Sequence, residues 1–203
     1  MFYETETGHT FPYNPVYACV LPRPIGWIST LDNQGNTNIA PYSFFNAVSV
    51  DPPMVMFCPC GFHREGGDKD SALNAEVTGE FVYNMATWDM KDAMNLSSAS
   101  LPRDKDEFNH ANLTKASSRL IKPPRLKQSP VNFECRTWKV VELPNAKDES
   151  RNIIVIGQVV GVHIQDKYIV DGKIDVKLMK PIARLGYKDY CVVQDTFSLV
   201  RPD

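Results

Sequence analysis

No stretch of this 203-residue chain approaches the roughly 18 consecutive apolar residues that span a bilayer, so no membrane segment is expected. The N-terminus, Met-Phe-Tyr-Glu-Thr-Glu, lacks the basic start and apolar core of a signal peptide, which points to a cytoplasmic protein. Excess positive charge is missing too. A formal net charge of −2 and a pI near 6.1 give no general attraction for nucleic acid or an anionic membrane. The basic run over residues 115–127 is the one candidate, and Pro123 and Pro124 mark it as a surface connection. Five cysteines (Cys19, Cys58, Cys60, Cys135 and Cys191) are an odd number without small-domain spacing, which predicts reduced thiols rather than a disulfide framework. Cys58, Cys60 and His63 match no structural zinc spacing, so no metal is expected. There is no internal repeat, no Gly-x-Gly-x-x-Gly after a strand, and no persuasive His/Asp or Cys/His pair.

What remains is an ordinary globular composition, 43% apolar and 23% charged, at a length that suits one domain over residues 1–203. Val16 to Leu21 is a short apolar run, broken by Pro22 and Pro24 before a strand resumes over 25–31. Asp32-Asn-Gln-Gly-Asn36 supplies turn residues, predicting a hairpin into a second strand over 38–48. Residues 54–58 and 80–86 read as strands, 69–76 as a helix stopped by Gly79, and 89–98 as a helix. Residues 101–130 form a polar insertion, a candidate lid or interface segment. From Val131 the period is two, and the β-branched run over 152–164 predicts a strand buried on both faces, with bulges at Gly157 and Gly161. The pattern as a whole is mainly β, a β-barrel with helical insertions.

Three polar clusters stand out on this framework. The first, Arg-Pro-Ile-Gly-Trp-Ile-Ser-Thr over 23–30, ends in Ser29 and Thr30, residue types that on strands mostly bond their neighbours. The second, Ala-Pro-Tyr-Ser-Phe-Phe-Asn over 40–46, carries a proline that cannot donate to a ladder. An outward bend is expected there, with free N–H groups beside Ser43 and Asn46 suited to a planar heterocycle. In the third, Lys69-Asp70-Ser71 after a Gly-rich loop offers a lysine, a hydroxyl and a helix N-terminus to an anion. Capping by Asp68 or Asp70 would occupy the same N–H groups instead. His63 and Arg64 could add positive charge, and His110 is the one candidate for an acid or base on the substrate side.

In this order the three clusters resemble the flavin reductase-like family, and the strand 80–84 and the segment 184–190 extend the resemblance over about residues 15–195. The resemblance implies a homodimeric FMN-binding split β-barrel, reduced by NADH or NADPH. Carried over by position, Ser29 and Thr30 would contact the flavin. Ser43, Phe44, Phe45 and Asn46 would hold its ring and ribityl chain, and Lys69 with Ser71 its phosphate. Asn84 and Tyr187 are further candidates. Hydride transfer from nicotinamide to flavin N5 needs no obligatory acid or base, and electrons would pass to a partner monooxygenase or a small acceptor. The alternative is an FMN carrier or sensor without turnover, or a subunit of a larger flavoprotein complex.

Overall fold

The computed structural model describes residues 1–145 and 151–202. In chain order its elements are α1 (Val16–Cys19), β1 (Arg23–Pro24), β2 (Gly26–Leu31), β3 (Thr37–Tyr42), β4 (Phe45–Val50), β5 (Pro53–Phe57), α2 (Asp70–Val77) and β6 (Glu80–Met85). There follow α3 (Lys91–Leu96), α4 (Glu107–His110), β7 (Lys115–Ala116), β8 (Arg125–Leu126), β9 (Val131–Leu143) and β10 (Asn152–Ile164). The last are β11 (Ile169–Val170), β12 (Lys173–Ile174), α5 (Val176–Met179), β13 (Ile182–Arg184) and β14 (Tyr190–Val192).

Seven antiparallel strands form one sheet in the order β3-β2-β6-β9-β10-β5-β4. Its two edges, β3 and β4, are consecutive in sequence and joined through Ser43 and Phe44, so the sheet curls on itself. Inside the curl Ile28, Phe57, Phe81, Tyr83, Ile153 and Val155 pack together, and α2 sets Ala72 and Ala75 against them. Small residues on that helix let its backbone approach the barrel wall closely. A second core, with Trp27, Ile39, Met94, Phe108, Leu126 and Ile182, lies on the outer side of β2 beneath α3, α4 and β8. β2 is therefore buried on both faces, which places Ser29 and Thr30 in the interior.

The Asp32 turn forms as its residues require. Asp32 Oδ1 accepts the N–H groups of Gln34 and Asn36, each at 2.8 Å, and Gly35 takes φ +91°. Three expectations change. Val16 to Leu21 forms no strand; its first residues make α1, anchored because the Arg23 guanidinium donates to the carbonyls of Tyr17, Val20 and Leu185. The strand expected over 38–48 is two strands, and the bend falls at Ser43 and Phe44 rather than at Pro41, which stays in β3 opposite Trp27. A proline is tolerated there because β3 is an edge. β10 is buried on one face, through Ile153, Val155 and Gly157, while Ile154 and Ile156 on the other are half-buried. Its pairing with β9 is irregular beside both Gly157 and Gly161. Among the described residues no helix is long and apolar enough to cross a membrane.

Candidate functional site

A cavity of about 390 Å³ opens along β3, bounded by the start of α2, the 97–101 turn and α4. Its walls include Asn38, Pro41, Tyr42, His63, Lys69 and Glu107. At its base a hydrogen-bonded chain runs between elements: Ser71 Oγ donates to Asn38 Oδ1 at 2.7 Å, and Asn38 Nδ2 donates to Glu107 Oε2 at 3.0 Å. Burial pushes the Glu107 carboxyl up to about 7, with the charges of Asp70 and Asp106 adding to it and the Ile39 N–H opposing.

The electrostatics at the head of α2 favour an anion. Lys69 is the N-cap residue, and no side chain caps the helix. Neither neighbouring carboxylate is free to do so: Asp68 accepts from Arg151 at 2.7 Å, and Asp70 is held by the Arg103 guanidinium with His63 Nε2 at 3.7 Å. Arg103 also donates to the carbonyls of Gly66 and Asp68, fixing the glycine loop against the helix. Among the described residues the Lys69 ammonium has no carboxylate partner; it lies 5.8 Å from the Tyr42 ring. Burial lowers its pKa from the usual value, with the Cys60 thiol opposing. A half-buried cation without a counter-charge, beside an uncapped helix start, is the donor set a phosphate requires.

The residues singled out in the sequence fall into groups. Lys69 and Ser71 line the cavity, and Thr30 Oγ1 accepts from Asn74 of α2 at 3.0 Å on that helix's inner side. Ser43 and Phe44 form the bend between the sheet edges, where the Ser43 hydroxyl has no partner among the described residues. The Phe44 ring packs 5.4 Å from Tyr17 there. Phe45 is core, stacked at 4.5 Å on Tyr83, whereas Asn46 is exposed, its Oδ1 accepting from Ala47 N–H.

Ser29 and Asn84 belong to another network. Asn84 Nδ2 donates to Ser29 Oγ at 3.1 Å and to the Trp27 carbonyl at 2.9 Å. Asn84 Oδ1 accepts from Leu126 N–H and from Asn132 Nδ2, each at 2.8 Å, and Ser29 donates to the Pro124 carbonyl. Together they bind residues 124–126 to the outer face of the sheet, and neither lines the cavity. Tyr187 is exposed, at φ +58°, with its ring 5.6 Å from Tyr13. His110 is exposed at the end of α4 and outside the cavity wall.

Sequence reasoning missed Glu107, Asn38 and Arg103. Only the Asp106-Glu-Phe start of α4 carried a signal, since Asp106 caps that helix by accepting from Phe108 N–H at 2.9 Å. That a carboxylate one residue later would be buried depends on β3 lying beneath it.

A curled antiparallel sheet with a polar, cation-bearing cavity along its β3 edge defines a split β-barrel of the ligand-binding kind. The chain belongs to the flavin reductase-like family: the model of the flavin reductase like domain matches residues 17–173. It is 34% identical over 190 residues to BH2278 of Halalkalibacterium halodurans, covering 94% of this chain and 90% of that one. Among solved structures it is similar to nitrilotriacetate monooxygenase component B from Bacillus cereus, at TM-score 0.89, 29% identity and 98% coverage of both chains. The 2-nitrobenzoate 2-nitroreductase NbaA of Pseudomonas fluorescens follows at TM-score 0.79 and 26% identity, covering 92% of this chain and 88% of that one.

Proposed function

We propose that the protein is an FMN-dependent oxidoreductase that takes its cofactor into the cavity along β3. The observation that carries this reading is the half-buried Lys69 ammonium, without a carboxylate partner among the described residues, at the uncapped start of α2. Lys69 and the first amides of α2 would hold the phosphate. The Ser71 hydroxyl donates to Asn38 in this state, so its part in phosphate binding requires it to turn from that partner. The free edge of β3 and the unpartnered Ser43 hydroxyl would meet the polar rim of the ring, with Phe44 and Asn46 on the segment that follows. Thr30 would support α2 from below, and Ser29 and Asn84 would act by fixing the sheet face beneath.

Bound flavin supplies a two-electron acceptor for hydride from NADH or NADPH. The chain's own part is to orient two planar rings and exclude water, and a wall of buried Tyr42, half-buried Pro41 and exposed Phe62 suits it to that. No side chain has to move a proton for hydride transfer. Electrons would then pass to a partner oxygenase, as the name of the Bacillus cereus relative suggests, or to a small acceptor, as the nitroreductase suggests. Lys69→Ala should weaken FMN binding about tenfold or more, read by flavin fluorescence, while leaving the urea midpoint unchanged. Unaltered FMN affinity in that variant would remove the phosphate from this site.

A further inference from the structure

The basic run over 115–127 is not absorbed by the cavity on β3. Of its charges, Lys115 pairs with Asp106 at 2.5 Å. Lys122 is exposed and lines a different pocket, beside Glu80. Arg119, Arg125 and Lys127 converge on a second cavity of about 320 Å³, with Ser129, Asn132 and His163 in its wall, and it shares no lining residue with the first. Among the described residues none of the three cations has a carboxylate partner.

The carboxylate closest to them, Glu134, is fully buried and already committed. It accepts the N–H groups of Arg119 and Leu120, each at 2.7 Å, and His163 Nε2 at 2.5 Å. Because an ionised carboxylate only accepts, His163 Nε2 donates. Arg125 is held in place, its Nε and Nη2 on the Ser117 carbonyl and its Nη1 on Asn132 Oδ1 at 3.2 Å, which aims a fixed guanidinium across β9. Burial lowers its pKa, Glu134 opposing and the Arg119 charge adding to the fall. Two guanidiniums near enough to repel, beside a free lysine, are stabilised by an anion between them.

We propose that this cavity, between the β7–β8 hairpin and the adjoining ends of β9 and β10, is a second anion site that takes a phosphate group. The cavity is larger than the oxyanion alone, so the phosphate is either free or carried by a small molecule such as a nucleotide. Arg119 and Lys127 supply charges that hold nothing else among the described residues, and Arg125 supplies the fixed fork.

Titrating the ¹⁵N-labelled full chain with inorganic phosphate and following its amide resonances reads both cavities in one experiment. The amides of Arg119, Leu120, Asn132 and His163 should shift together and saturate. Arg119→Gln and Lys127→Gln should each weaken that response about tenfold, with the amides of Lys69, Asp70 and Ser71 titrating as in the parent. Parallel titrations with NADP⁺ and NAD⁺ separate the sources. A nucleotide phosphate site responds to NADP⁺ at lower concentration than to phosphate and more strongly than to NAD⁺, and a site for free phosphate shows no gain with NADP⁺. No saturable shift at the four amides overturns the proposal. So does a response that neither substitution changes, or one that about 0.15 M sodium chloride abolishes.

Discussion

At the scale of single residues, a carboxyl group that folding removes from water makes stability depend on pH. The Glu107 carboxyl is raised by burial from an ordinary value of 4.5 to about 7, so between those limits the folded chain holds a proton that the unfolded chain has released. Its contribution is fully favourable below about pH 4.5 and is lost as pH rises through about 7. Glu107→Gln keeps an acceptor for Asn38 and carries no charge. The variant should match the parent at pH 4 and exceed it by on the order of 3 kcal/mol at pH 8, in urea denaturation at the two pH values. A constant difference between parent and variant would mean that Glu107 titrates alike in both states. Lys69 and Ser71 were legible because a lysine and a hydroxyl after a glycine loop mark a helix start from sequence alone. Glu107 and Arg103 were not, since each acquires its role from a partner 33 or more residues away: Asn38 for one, Asp70 for the other.

At the scale of elements, alternation and turn chemistry located β2, β5, β6, β9 and β10, and the helix starting near Lys69, to within a few residues. Two features escaped for physical reasons. Residues 16–19 carry no helical period long enough to read, and α1 is held by Arg23 rather than by its own sequence. The break between β3 and β4 comes from closing the sheet, which a strand-by-strand reading does not contain. The irregularity at Gly157 was legible, and its cause is visible. A Cβ there would lie 2.4 Å from Phe81 Cε1 and 3.2 Å from the Arg136 carbonyl, so the aromatic ring fills the space that glycine leaves. Gly157→Ala should cost about 1–3 kcal/mol, measured as a lowered urea midpoint without change in slope. A midpoint equal to the parent's would show that Phe81 moves aside freely. The polar 101–130 insertion packs through Phe108, Ile121 and Leu126, which are buried. Its proposed role as a lid or interface therefore concerns the 101–107 stretch bordering the cavity, with the rest fixed to the sheet.

At the scale of the whole molecule, the exposed edge bears on assembly. Along β4 Asn46, Ala47, Val48 and Val50 face solvent, with Val48 at 49% and Val50 at 92% exposure, and Trp138 on β9 is 64% exposed. Apolar side chains on an unpaired edge are an invitation to a second copy, and we propose that the protein is a homodimer whose second subunit supplies a further wall for the flavin. Sedimentation at micromolar concentration should give about twice the chain mass. A species that stays monomeric with FMN bound would remove that wall from the account. The most direct measurement for the whole is the visible spectrum of the protein mixed with FMN and passed through gel filtration, repeated anaerobically with NADH and with NADPH. The account predicts that yellow flavin elutes with the protein and bleaches rapidly with one of the two nicotinamides. A folded protein that elutes colourless contradicts flavin binding at β3, and bound flavin that stays yellow with both donors contradicts the reductase.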